Sequence, residues 1–355
     1  MIAAAVALCF LIADPPLPAH GGTVALSAQE WEFAPGPRTI DVYVYYPRGD
    51  RNNVTSSTGL MLCLHNWGGT RADGAPDPVQ VSDRYDVVAI CVDYVQSGTW
   101  DATKGVPYDF GFMQALDALR ALHYVFQSLD DAATPFARGR IYAAGGSGGG
   151  NVALMANKLA PRTFACVVDI SGMTTLNDGF AFGLPGGQSP NAGYSRDEHS
   201  ASYLSDDARA IRSVGHPDHL KTMRALGNEA MAVVVHGADD PVCPPADARE
   251  TVAEFERAGL GVVPHFIGAA DLDGDALTDT KHSLGDRTKI LFKFGDEFMR
   301  PGSPHLRVRP GKTDFERSDA AVRYTTPHGA YVISCEAGCP VGMFVPAPAG
   351  AASSE

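Results

Sequence analysis

Ile141-Tyr-Ala-Ala-Gly-Gly-Ser-Gly-Gly-Gly-Asn151 is the stretch from which the fold can be read. It opens as an apolar, strand-like run over Arg140–Ala144 and passes through Gly145-x-Ser147-x-Gly149. It then leads into a helical pattern that starts at Gly148 and ends near Lys158 or Leu159, before Pro161. A chain turning at once from strand to helix forces the residue at the turn into a strained backbone conformation. It also leaves no room for side chains two positions away. The serine oxygen then projects above the sheet, and the Gly148 N–H at the helix start can point at a developing oxyanion. Two other readings compete. Glycine-rich turns carrying this pattern arise by accident. A dinucleotide fingerprint is the sharper rival but fails on spacing: counted from Gly146 and Gly148, its third glycine falls at residue 151, which is Asn.

Outward from this turn, apolar β-branched runs alternate with helical patterns, the signature of a parallel sheet covered by helices. The expected strands are Thr39–Tyr46, Gly59–His65, Val87–Tyr94, Arg140–Ala144, Phe164–Ile170, Met231–His236 and Val262–Ile267. Most are continuous apolar runs, as expected of strands buried on both faces, whereas Thr39–Tyr46 alternates and is placed near an edge. Helices are expected over Phe110–Leu129, Ala246–Ala258 (stopped by Gly259) and Leu284–Met299. Residues 172–229 are too long for an ordinary connection and read as an inserted lid or cap with its own short helices. Residues 301–355 read as a C-terminal extension, partly disordered, with two or three short strands in Ala320–Val345 and a Pro/Ala/Ser tail. No internal repeat is found.

Composition bounds the possibilities. Of 355 residues, 45% are hydrophobic and 19% charged, which fits a core-forming protein and excludes wholesale disorder. The net charge of −13 opposes phosphate backbones and anionic lipid, so neither nucleic acid nor membrane is an expected partner. The apolar run Ile2–Ala13 is too short to span a bilayer but matches the apolar part of a secretory signal, with Ala19 as the last residue removed. Against that, no Lys or Arg precedes the run, the first being Arg38, and no clean Ala-x-Ala site follows. The expectation is a secreted or periplasmic protein, cytoplasmic if the run is no signal. Of seven cysteines, Cys63, Cys91 and Cys166 read as buried hydrophobes. Cys335 and Cys339 could close a disulfide in an oxidising compartment, and no structural zinc pattern exists.

A serine hydroxyl needs a neutral imidazole to take its proton, and the imidazole needs a carboxylate to orient it. Both follow Ser147 in that order. Met231-Ala-Val-Val-Val-His-Gly-Ala-Asp-Asp-Pro-Val-Cys-Pro244 runs from a strand into an acidic turn, and Asp279-Thr-Lys-His-Ser-Leu-Gly-Asp286 places His282 in a polar loop after the last strand. His236 reads as a structural hydrogen-bonder, and His265 as packed within the last strand. Asp271-Leu-Asp-Gly-Asp275, with Asp279, resembles the start of a calcium loop. Its sixth position is Ala276 and its twelfth His282, so it reads better as an acidic loop carrying the histidine.

With Leu62-Cys-Leu-His-Asn-Trp-Gly-Gly69 at the end of an earlier strand, the chain from about residue 39 to 300 resembles an α/β-hydrolase of the serine esterase and prolyl-oligopeptidase-like kind, in a poorly characterised bacterial branch. The resemblance implies a mostly parallel sheet with helices on both faces. Through the related pattern His-Gly-x-x-Asp-x-x-x-Pro it favours Asp240 as the carboxylate, with Asp239 as the fallback. It further implies an oxyanion hole built from the backbone of Trp67 and Gly148, Asn66 standing where the family usually has glycine. Trp67 and Tyr194 are candidate substrate-lining residues, alongside Phe180, Phe182 and Tyr203. The implied activity is cleavage of small-molecule or polymeric carboxylic esters through an acyl-enzyme on Ser147, with no metal or organic cofactor. A peptidase or amidase of the prolyl-oligopeptidase-like type is the alternative. Such peptidases carry a large N-terminal propeller, which about 38 residues before the first firm strand would not supply. A catalytically silent binding protein on the same fold is the alternative from another class. The resemblance does not extend to residues 301–355.

Overall fold

The computed structural model describes residues 14–99, 106–183, 190–317, 319–336 and 338–348. The apolar run Ile2–Ala13, with Cys9, and the end of the tail lie outside the described residues. Eight strands form one sheet: β1 (Gly22–Ala28), β2 (Arg38–Tyr45), β3 (Gly59–Leu64), β4 (Val87–Asp93), β5 (Ile141–Gly146), β6 (Cys166–Ile170), β7 (Met231–Gly237) and β8 (Gly261–Ile267). Their order is β1-β2-β4-β3-β5-β6-β7-β8. β2 runs antiparallel to both β1 and β4, and every pair from β4 to β8 is parallel. The uninterrupted apolar runs became strands buried on both faces, as in β3 and β6.

Sequence patterning missed β1. Only Leu26 and Ala28 of that strand are buried, so its alternation is faint. It is nevertheless held by register, Val24 opposite Val42 and Leu26 opposite Ile40. β2 therefore lies second from the edge, and its alternation reflects a buried Ile40/Val42/Val44 face opposite an exposed Asp41.

Eight helices are described: α1 (Pro78–Tyr85), α2 (Phe112–Asp131), α3 (Gly148–Leu159), α4 (Asp178–Phe182), α5 (Asp206–Arg212), α6 (Pro217–Ala225), α7 (Pro245–Ala258) and α8 (Arg287–Met299). On one face of the sheet Leu116, Leu119 and Leu122 of α2, Leu154 of α3 and Phe255 of α7 join Leu62, Ile90 and Val167 in the principal core. On the other, Val81 and Tyr85 of α1 and Ile290, Leu291 and Phe298 of α8 meet Met61, Ala89 and Val168. Among the described residues, no helix is long and apolar enough to cross a membrane.

The inserted region and the extension are both tied into this body. Ile211, Val214, Leu220 and Met223 of the insert are buried in the principal core. Arg212 forms a fully buried 3.0 Å ion pair with Asp109 just before α2. The extension folds into a three-stranded antiparallel sheet, β9 (Val322–Thr326), β10 (Gly329–Ser334) and β11 (Val341–Pro346), in the order β11-β10-β9. Tyr324, Tyr331 and Ile333 from this sheet enter the same core. Asp314 locks the approach to it, accepting from Arg162 Nε at 2.7 Å and Thr163 Oγ1 at 3.0 Å. Cys335 and Cys339 are both buried.

Candidate active site

Ser147 sits between β5 and α3 with φ 56° and ψ −121°. That backbone conformation costs a non-glycine residue about 1–3 kcal/mol and persists only when its surroundings impose it. Here they do. A Cβ on Gly145 would lie 2.3 Å from Gly149 C and O, and one on Gly149 would lie 2.1 Å from Leu64 O. The first turn of α3 therefore packs directly on the ends of β5 and β3. Ser147 N donates to Ile170 O at 2.8 Å and pins the turn to β6.

His282 arrives from the loop after β8. Leu284 is the buried anchor of that loop, with Thr278 N donating to Leu284 O at 2.8 Å and Leu284 N donating to Lys281 O at 3.2 Å. Asp286 accepts from Thr288 N and Lys289 N, capping α8 and closing the segment. The loop is thereby held, and its imidazole bridges two other elements. His282 Nε2 lies 2.9 Å from Ser147 Oγ, and His282 Nδ1 lies 2.9 Å from Asp240 Oδ2.

Asp240 follows β7. Its other oxygen, Oδ1, accepts from Val242 N at 2.8 Å and Cys243 N at 2.9 Å. Burial alone would raise this carboxyl. The His282 hydrogen bond and charge, together with the two backbone N–H groups, outweigh it and hold the group below the usual carboxylate range. An ionised Asp240 takes the Nδ1–H of His282, which leaves Nε2 to accept from the serine hydroxyl. Asp239 turns elsewhere and accepts from Thr280 Oγ1 at 2.8 Å.

The other histidines of these strands serve the scaffold. His236 Nε2 lies 2.9 Å from Cys243 O and 3.5 Å from Asp240 Oδ2, and burial pushes its pKa down. His65 stacks on Tyr94 at 3.9 Å, with Nε2 2.6 Å from Ser97 Oγ, and burial lowers its pKa to about 4. A neutral His65 next to the Trp67 loop adds no charge there.

The Trp67 loop follows β3. A Cβ on Gly148 would stand 2.7 Å from Trp67 N, so the start of α3 and the Trp67 backbone lie against each other beside Ser147. The Trp67 ring is buried and stacks on Tyr108, centroids 3.4 Å apart and planes 12° from parallel. Tyr194 lies in the same apolar cluster as Trp67, Tyr108, Phe110, Phe180 and Cys243, its hydroxyl donating to Asp109 O at 3.3 Å. That cluster touches the relay's neighbours at two points, Trp67 against Gly148 and Cys243 through its N–H to Asp240.

Two acidic groupings could suggest a metal. Asp240, Cys243 and His282 present ligand atoms within 4.8 Å of one another. The first and last are already bonded to each other, and burial pushes the Cys243 thiol well up, which disfavours the thiolate a metal needs. In the acidic loop, Asp273 pairs with Lys293 and Asp275 with Lys289, so lysines neutralise the carboxylates a cation would require.

Three residues near the relay were passed over in the sequence: Tyr108, Asp169 and Arg287. Asp169 alone left a trace, a charged residue inside the apolar run Phe164–Ile170.

A family model described as "Protein of unknown function (DUF2920)" matches residues 95–184 and 190–325. No curated protein matches the sequence. Among solved structures, the Pyrococcus horikoshii acylaminoacyl peptidase is 15% identical with a TM-score of 0.51, over 80% of this chain and 42% of that one. A Mycobacterium tuberculosis puromycin-hydrolysing peptidase is 17% identical with a TM-score of 0.49, over 79% and 40%. Esterase 2 of Thermogutta terrifontis is 16% identical with a TM-score of 0.47, over 80% and 94%. The chain thus spans about two fifths of the length of the two peptidases it matches. At such identities the likeness speaks to architecture, and with the strand order above the fold is that of the α/β-hydrolases.

Proposed function

We propose that this chain, which belongs to the DUF2920 family of proteins of unknown function, is a serine hydrolase that cleaves carboxylic esters through an acyl-enzyme. The observation that carries the reading is the unbroken relay Ser147 Oγ–His282 Nε2 and His282 Nδ1–Asp240 Oδ2, both links at 2.9 Å, drawn from three separate loops of the sheet. In this reading His282 takes the hydroxyl proton as Ser147 attacks the ester carbonyl. The N–H groups of Trp67 and Gly148 receive the oxyanion. His282 then passes its proton to the departing alcohol, and a water activated by the same imidazole releases the acid. Asp240 keeps the imidazole in the tautomer that leaves Nε2 free to accept and stabilises the imidazolium that forms. Trp67 and Tyr194 line the approach on the acyl side.

A fluorophosphonate probe tests the reading. It should label the folded protein at Ser147, as mapped by peptide mass spectrometry, and a panel of p-nitrophenyl esters and p-nitroanilides should show turnover of the esters. Absence of labelling on folded protein would favour a silent binding protein on this fold. Faster anilide than ester turnover would favour an amidase.

A further inference from the structure

Arg287 is the first residue of α8, five positions after His282. Its side chain reaches back across the base of the site. A Cβ on Gly146 would stand 1.5 Å from Arg287 Nη1, 2.3 Å from Cζ and 2.6 Å from Cδ. The guanidinium thus packs against the backbone of the residue before Ser147, in space that only glycine leaves open. Beyond it, Nη1 donates to Gly74 O at 2.8 Å.

Gly74 closes the loop that carries Trp67. Asn66 N donates to Asp73 O at 2.9 Å, and a Cβ on Gly74 would stand 2.7 Å from Asn66 Nδ2. Asn66 immediately precedes Trp67. One side chain therefore joins the His282 segment, the Ser147 turn and the loop of the Trp67 amide. Its charge faces the carboxylates of Asp169 and Asp240 and the Cys243 thiol. A guanidinium suits this place because it is planar, stays charged when desolvated and donates in fixed directions, none of which a lysine reproduces.

Resting on the reading of Ser147 as nucleophile, we infer that Arg287 is a positioning residue that sets the Trp67 amide and the Ser147 turn in register with His282. It touches neither substrate nor the reacting atoms. Displacing catalytic groups by about 1 Å costs about a hundredfold in rate, and a loosened strap would act on turnover rather than on substrate binding.

The experiment compares wild type, Arg287→Ala and Arg287→Lys in full-length protein. For the variants we expect kcat on p-nitrophenyl acetate and the fluorophosphonate labelling rate to fall together by about 30- to 300-fold, with KM changed less than about threefold. Added guanidinium chloride at low concentration should restore at least about tenfold to Arg287→Ala and nothing to wild type, an outcome that a purely structural role would not give. Folding is checked by circular dichroism and Tm, and if the alanine variant does not fold the lysine variant carries the test. Labelling within threefold of wild type in either folded variant overturns the inference, as does failure of guanidinium to rescue a folded Arg287→Ala. Wild type that resists the probe altogether would instead overturn the reading of Ser147.

Discussion

Replacing Asp169 by Asn should remove a pH-dependent liability from the middle of the sheet. Asp169 lies within β6 with a fully buried side chain, and neither carboxylate oxygen has a well-formed hydrogen bond among the described residues. Gly150 and Gly172 press on it so closely that a Cβ on either would stand 2.0 Å from Oδ1. Burial, with the charge of Asp240, pushes its carboxyl up to about 7, against smaller opposing effects of the Gly172 N–H and the Arg287 charge. In the unfolded chain the same group titrates near its ordinary ~3.9. A difference of about three pH units at about 1.36 kcal/mol each corresponds to about 4 kcal/mol. The sign follows from proton counting. Between those two values the folded protein holds a proton that the unfolded chain has released, so stability is full below about pH 4 and declines as pH rises towards about 7. Asn does not titrate, so the difference between wild type and Asp169→Asn isolates this group from all others. Urea unfolding at pH 5, 6, 7 and 8 should show that difference drifting in favour of the variant by about 1.4 kcal/mol per pH unit up to about 7, then levelling, about 3 kcal/mol in all. An equal difference at pH 5 and pH 8 would refute the reasoning, because it would mean that Asp169 is already ionised in the folded chain at pH 5.

Four further outcomes are expected. Ser147→Ala should abolish fluorophosphonate labelling and lower ester kcat by about a millionfold, measured with p-nitrophenyl acetate under saturating conditions. Asp240→Asn should keep the fold but lower kcat by about ten-thousandfold, since an amide no longer holds the imidazole tautomer or its charge; a loss under tenfold would transfer the role to Asp239. Gly149→Ala drives a methyl into the backbone carbonyls of Leu64 and His65, at 2.1 and 2.6 Å, and should cost at least about 2 kcal/mol by chemical denaturation. Asp109→Ala strands the fully buried Arg212 charge and should cost about 3–5 kcal/mol, with unchanged stability arguing against the pair.

Much of the sheet was legible in the sequence because its cause is local. A strand buried on both faces must be apolar throughout, and a strand-to-helix turn with no room for side chains must be built from glycine, so β3 to β7 and the Ser147 turn were written in consecutive residues. The order of serine, carboxylate and histidine along the chain could be read too, since each candidate follows a recognisable strand. What lay beyond reach depends on encounters between distant segments. β1 is a strand chiefly because β2 offers it an edge to pair with. The insert and the extension bury their apolar side chains in the principal core, where β9 lies against α5 and α6 and α6 against α7. Asp240 rather than Asp239 meets His282 because the turn after β7 gives Asp240 two backbone donors and leaves Asp239 to Thr280. Arg287 was silent in the sequence, one basic residue at a helix start, until the tertiary fold laid it across Gly146 to Gly74. Periodicity and glycine record what a residue's own backbone must do, whereas the meeting of side chains more than a hundred positions apart is set by how the loops close over the sheet.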